Sequence, residues 1–189
     1  MKEALRSMTE DMMAMIRRKD FAPFNLALSG GETAKHMFSL WVDEYKDKID
    51  WNNIRFFWVD ERCVPPTSPD SNYGHANHLL FKPLCIPADH IHQIKGENEP
   101  GTEAMRYSLP LFNQMPTFDC IILGVGEDSH TASIFPTTME LLSDSRNYAV
   151  SQQPSTGQYR ITMTGPLILN GAPLLVPILG TNKEPVIQR

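Results

Sequence analysis

The sequence predicts an α/β fold: a mostly parallel sheet flanked by helices on both faces. Strand-like and helix-like segments alternate along the chain, and several strand segments are near-continuous apolar runs. Strands buried on both faces read in that way, and helices on the crossovers are what bury them. The sequence contains no internal repeat, low-complexity tract or convincing composition break, so residues 1–189 are expected to form a single domain.

The elements follow in order. Leu5, Met8, Met12, Met15 and Ile16 recur at three- and four-residue steps and predict a helix over 3–18, its methionines packing in a core. A short strand over 25–28 ends in Ser29-Gly30-Gly31. In the next helix Ala34, Met37, Phe38, Trp41 and Tyr45 share one face, and Lys35, Asp43, Glu44 and Lys46 stay wet. The run 54–59 is strongly β-prone and is stopped by Asp60-Glu61-Arg62. Residues 63–73, rich in Pro, Ser and Asp, can be neither helix nor interior strand, and a loop that long at a strand end is more often functional than decorative. A helix is expected over 74–82, a short strand over 91–94, and a helix over 102–115 that Pro110 should kink or divide. The most apolar strand, 118–123, leads into Gly124-Val-Gly-Glu-Asp-Ser-His130. Strands over 148–151 and 160–163 precede a buried run over 174–179 and a final Gly180-Thr-Asn-Lys183.

Composition narrows the function. Hydrophobic residues make up 41% and charged residues 21% of the chain, the balance of a globular protein. A net charge of −5, with acids and bases interspersed, argues against nucleic acid or an anionic membrane as a partner, while a few local cations still suffice for a small anionic substrate. Cys63, Cys85 and Cys120 show no metal or redox spacing and read as free thiols in a reducing compartment. No apolar stretch reaches transmembrane length and charges run through the first twenty residues, so a cytoplasmic protein is expected. His75 and His78 sit three apart with no third ligand in view, and His90 and His92 lie apart from them, so neither metal nor cofactor is expected. Ser133 lacks the Gly-x-Ser-x-Gly context of a nucleophile.

Ligands of open α/β sheets bind beyond the carboxyl ends of strands, and three such ends stand out. At Ser29-Gly-Gly-Glu-Thr33, paired glycines and a helix N-terminus suit an anion, though a capped turn without a ligand reads equally well. Asp60-Glu61-Arg62 is either a solvated turn with a local ion pair or the base of a cationic Arg62 facing a pocket. At Gly124–Ser133 a histidine that titrates near neutrality follows two carboxylates. His130 can take a proton from water, and a carboxylate two residues away can fix its tautomer.

At these strand ends the sequence resembles the 6-phosphogluconolactonases. LSGGET is similar to the family's first loop, FFWVDERCVPPTSPDSNYG to its second block, and FDCIILGVGEDSHTASIFP to its Gly-x-Gly-Glu-Asp-Gly-His-Thr-Ala-Ser-Leu-Phe-Pro hallmark. GQYRITMTGPLILN and GTNK resemble its Arg-Ile-Thr strand and late lysine. The resemblance runs from about Asn25 to the end of the chain. It implies a Rossmann-like, doubly wound fold and hydrolysis of 6-phosphoglucono-1,5-lactone to 6-phosphogluconate, the second step of the oxidative pentose phosphate pathway. His130 would activate water, Asp128 would orient it, and Arg62 would stabilise substrate and developing charge. Ser29, Gly30, Gly31 and Thr33 would form a polar loop around the substrate, and Arg160 and Lys183 would hold the phosphate.

Three departures stand beside it. Ser129 replaces the hallmark glycine, Glu32 and Ala34-Lys35 replace the small residue and proline of the first loop, and the chain is short at both ends relative to the family. Two rivals remain. A glucosamine-6-phosphate deaminase would carry Asp-Glu-Tyr where Asp60-Glu61-Arg62 stands, and a non-catalytic sugar-phosphate sensor would have no need of His130. Oligomeric state stays open.

Overall fold

The computed structural model describes residues 1–19, 22–113, 118–126 and 128–179. Helix α1 (Lys2–Arg18) buries Leu5, Met8, Met12 and Met13, and Thr9 lies inside that stripe. Strand β1 (Phe24–Leu28), buried at every position, turns through Ser29–Gly31 into helix α2 (Glu32–Tyr45). The helices lock together where the Thr9 hydroxyl donates to Leu5 O at 2.7 Å and accepts the Trp41 indole N–H at 2.9 Å.

Strand β2 (Ile54–Trp58) pairs parallel with β1, Leu26 opposite Phe56. On the other side of β1 lies β4 (Cys120–Ile122), with Leu26 opposite Cys120, and β4 in turn pairs with β7 (Leu174–Leu175). The order β2-β1-β4-β7 makes a four-stranded, wholly parallel sheet.

Three strands depart from that sheet. Asp60–Arg62, expected to stop β2, forms a strand of its own, β3, one residue further on. It pairs antiparallel with β6 (Tyr159–Met163), which pairs with β5 (Tyr148–Gln152). The chain changes sheets at Val59: its N–H donates to Leu28 O at 2.9 Å, and its carbonyl accepts Met163 N–H at 2.8 Å.

Other expectations shift in detail. Helix α3 (Asn72–Ala76) starts early because the Ser71 hydroxyl caps it, accepting from Gly74 N–H, and it widens into a π-turn over Asn77–Phe81. The segment over 91–94 reduces to one parallel bridge, Ile91 against Phe56. Helix α4 (Pro100–Asn113) runs through Pro110 without being divided there, and the expected end at Met115 lies outside the described residues. After the short helix α5 (Gly165–Ile168), the run over 174–179 is not buried. Leu174, Val176 and Ile178 are 37%, 42% and 38% exposed, since β7 is the outer strand of the sheet and Pro177 cannot extend its ladder. No helix among the described residues is long and apolar enough to cross a membrane.

Thr9→Val keeps the side chain's shape and leaves the buried Trp41 N–H without its acceptor. Denaturant unfolding should show a loss of about 1–3 kcal/mol; no loss would mean the indole finds another acceptor.

Candidate active site

The carboxyl ends of β1, β2 and β4 converge, with β3 and β6 closing one side, on an open cleft of about 180 Å³. Its floor is the β1–α2 loop. Ser29 is buried and acts as a stitch between neighbouring strands: its hydroxyl donates to Ile122 O at 2.8 Å and accepts Gly124 N–H at 3.2 Å. Beside it Gly30, Gly31 and Thr33 line the cleft at the N-terminus of α2. Glu32 also lines the cleft, but its carboxylate turns to Lys35 at 2.6 Å, and that bond holds the carboxyl below the usual range.

The β4 end supplies His130 and Asp128. Gly126 N–H donates to His130 O at 2.8 Å, closing a tight hairpin that ends in a Val125–Thr131 bridge. The Asp128 carboxylate contacts His130 Nδ1 directly. A Cβ on position 126 would overlap both side chains, so the pair sits on a residue that must be glycine. Burial opposes the ionisation of Asp128, but the ring and backbone N–H of His130 outweigh it and hold the carboxyl below the usual range. With Nδ1 engaged, Nε2 carries the basic lone pair of a ring that lines the cleft.

The departure at Ser129 takes the form its position demands: Ser129 has φ 71°, the left-handed region that favours glycine. Ala132, in the next turn between the bridged residues Thr131 and Ile134, also takes this conformation, with φ 53°. Ser133 is fully buried and donates to Asp60 Oδ2 at 2.7 Å, which removes it as a nucleophile.

The remaining wall is cationic over a carboxylate base. Asp60 and Glu61 are 5% and 1% exposed in a strand, so of the two readings open for Asp60-Glu61-Arg62 the solvated turn falls, and Arg62 lines the cleft. Burial pushes the Glu61 carboxyl up to about 7, against backbone donors from Tyr73, Asn72 and Arg62. Arg62 and Arg160 are direct cross-strand partners. Arg160 Nη1 lies 3.9 Å from Asp60 Oδ2, and burial, then the neighbouring Arg62, lowers its pKa. The Nε atoms of both arginines are buried without a hydrogen-bond partner among the described residues.

The cleft thus gathers Ser29, Gly30, Gly31, Thr33, Arg62, His130 and Arg160, with Asp128 one contact behind; Lys183 lies outside the described residues. Sequence reasoning missed Asn72 and the inward-facing Asp60. Asn72 is 1% exposed and donates to Asp60 O at 3.0 Å; its amide occupies the space a Cβ at Gly30 would need. Its one sequence signal is its place at the end of the proline-rich loop.

Comparison with known proteins decides the family. The family described as glucosamine-6-phosphate isomerases/6-phosphogluconolactonase matches residues 1–189. The chain belongs to this family. It is 42% identical over 168 residues to a 6-phosphogluconolactonase of Treponema pallidum, covering 86% of this chain and 70% of that one. It is 42% identical over 170 residues to a 6-phosphogluconolactonase of Haemophilus influenzae, covering 88% and 72%. The solved 6-phosphogluconolactonase of Trypanosoma cruzi superposes with a TM-score of 0.86 at 28% identity, over 99% of this chain and 80% of that one.

Two outcomes follow for the hairpin and the wall. Ser129→Gly relieves roughly 1–2 kcal/mol of left-handed strain and returns part of it as unfolded-state freedom, so chemical unfolding should show a net gain of about 0.5–1 kcal/mol; a loss would show that the Ser129 side chain stabilises the turn. Glu61 has its folded pKa above the unfolded one, so its contribution is complete below the ordinary carboxylate pKa and is lost as pH rises through about 7. The stability of the wild type relative to Glu61→Gln should therefore fall between pH 5 and 8; a constant difference would mean Glu61 titrates at its ordinary value.

Proposed function

We propose that this chain hydrolyses 6-phospho-D-glucono-1,5-lactone to 6-phosphogluconate, with His130 as the base that activates water. The observation that carries the reading is the opposed pair Arg62 and Arg160, whose Nε donors have no partner among the described residues. Like charges directly opposite on neighbouring strands destabilise a sheet, and an anion held by both reverses that term. The His130–Asp128 pair opens onto the same cleft.

The chemistry follows from the groups present. His130 Nε2 takes a proton from water as its oxygen bonds to C1 of the lactone, and the carbonyl electrons move onto oxygen. Asp128 holds the ring in place through Nδ1. Gly30 and Gly31 N–H groups, with the α2 dipole, and the Arg62 guanidinium offer donors to the oxyanion and the phosphate. Collapse breaks the bond from C1 to the ring oxygen, which takes the proton back from His130 and becomes the 5-hydroxyl of the product. Arg160 serves as a phosphate partner, a role Lys183 shares by the family resemblance. One domain carrying the whole cleft is part of this reading, as is a cytoplasmic setting, which suits three unpaired cysteines.

Lactone generated in situ by oxidising glucose 6-phosphate should disappear above its spontaneous rate with the wild type. His130→Ala should lose about 10²–10⁴-fold in kcat/KM. Product binding without turnover would replace this reading with a sugar-phosphate sensor.

A further inference from the structure

Glu61 is the most buried carboxylate beside the cleft, yet it does not line it. Both of its oxygens are used in holding one loop. Oε1 accepts Arg62 N–H at 2.8 Å and Asn72 N–H at 2.7 Å; Oε2 accepts Tyr73 N–H at 2.7 Å and the Ser71 hydroxyl at 3.2 Å. The first residue and the last three of the segment from Arg62 to Tyr73 thus meet on one side chain. Within that ring the Arg62 guanidinium reaches across to Asp70 O at 2.6 Å, and Asn72 ties itself to Asp60 while its amide packs against Gly30. A buried carboxylate is a costly way to close a loop that neutral serine or asparagine side chains close elsewhere. What it adds is a rigid relation between a cationic side chain on one strand end and the glycine loop on another.

We propose that Glu61 is a positioning residue: by gathering the backbone N–H groups of residues 62, 72 and 73 and the Ser71 hydroxyl, it aims Arg62 at the anionic ligand and seats Asn72 against Gly30. The role rests on the sugar-phosphate reading of the cleft. It also explains why a proline-rich loop, which cannot form a ladder of its own, keeps one shape at a strand end where a ligand has to bind.

The test is a double-mutant cycle read by calorimetric binding of 6-phosphogluconate and by lactone kinetics, with thermal unfolding as the control for folding. Glu61→Gln places an amide N–H against backbone N–H donors and should weaken binding about tenfold. Arg62→Ala should weaken it about 100-fold, and the double variant should match Arg62→Ala within about twofold, because neighbours acting through one group are not additive. The loss in Glu61→Gln should divide between KM and kcat in the proportion seen for Arg62→Ala. If the two losses multiply, or if Glu61→Gln binds as the wild type does, Glu61 only stabilises the loop and the proposal is overturned. Should Glu61→Gln fail to fold, Glu61→Asp, which keeps the charge on a shorter stem, takes its place in the cycle with the same criterion. A wild type that binds 6-phosphogluconate without turning over the lactone, with the coupling intact, supports the role of Glu61 and removes the lactonase reading. A wild type that neither binds nor turns over overturns both.

Discussion

Val59 is the residue on which the geometry of the cleft turns. Its N–H completes the parallel pairing with β1 and its carbonyl begins the antiparallel pairing with β6, so one fully buried residue belongs to two sheets. A parallel strand normally ends in a loop, and residues beyond it are then free to sample many positions. Here the strand direction continues under hydrogen bonding for three more residues, and Asp60, Glu61 and Arg62 inherit the order of the sheet interior. Everything chemical on that wall is placed by backbone pairing, which is stiffer than any loop.

That placement brings an electrostatic burden. Two carboxylates and two guanidinium groups end up in and beside a buried strand pair, where unpaired charge is expensive. The arrangement is tolerable because each carboxylate meets donors: Asp60 receives Ser133 and Asn72, Glu61 receives three backbone N–H groups and Ser71. The arginines are less complete. Their Nε donors stay unmatched among the described residues, and Arg160 titrates below its usual range because burial and Arg62 both disfavour its charge. The pocket is thus stabilised on its acidic side by the protein itself and on its basic side by whatever anion enters, which couples binding to stability.

How much of this could be read in advance depended on whether the signal was local. The elements over 2–18, 24–28 and 32–45 were legible because periodicity and burial agree within one segment. The contact between Asp128 and His130 was legible for the same reason, since Gly126, Asp128 and His130 lie in one hairpin and make their contacts within it. The second sheet was legible only in part: the strands over 148–151 and 160–163 were expected, but β3 is three charged residues, a composition that reads as a turn, and its strand character comes from pairing with β6 about 100 residues away in sequence. Asn72 was missed for an equivalent reason. Its role arises from Gly30 and Asp60, and neither is near it along the chain. The exposure at Leu174, Val176 and Ile178 was misread because an apolar run shows that a strand is favoured and says nothing of how many neighbours it has.

The hairpin carrying His130 shows how local strain and chemistry are joined. A histidine that accepts a proton must present Nε2 while Nδ1 stays engaged, and the carboxylate that engages it comes from only two residues away. The backbone between the two residues therefore decides how the carboxylate meets the ring nitrogen. The chain solves this by reversing direction between the two residues, with Ser129 at φ 71° as the pivot and Gly126 leaving room for the closed pair. A glycine at the pivot would make the reversal easier but would also let the unfolded loop wander more. A serine accepts strain in the folded state and limits that freedom in the unfolded one. The orientation of the His130 ring is accordingly set by backbone geometry first and by the Asp128 contact second. A substitution at 129 would then move stability and ring orientation together, whereas one at Asp128 would remove the partner of both the imidazole and the His130 backbone N–H.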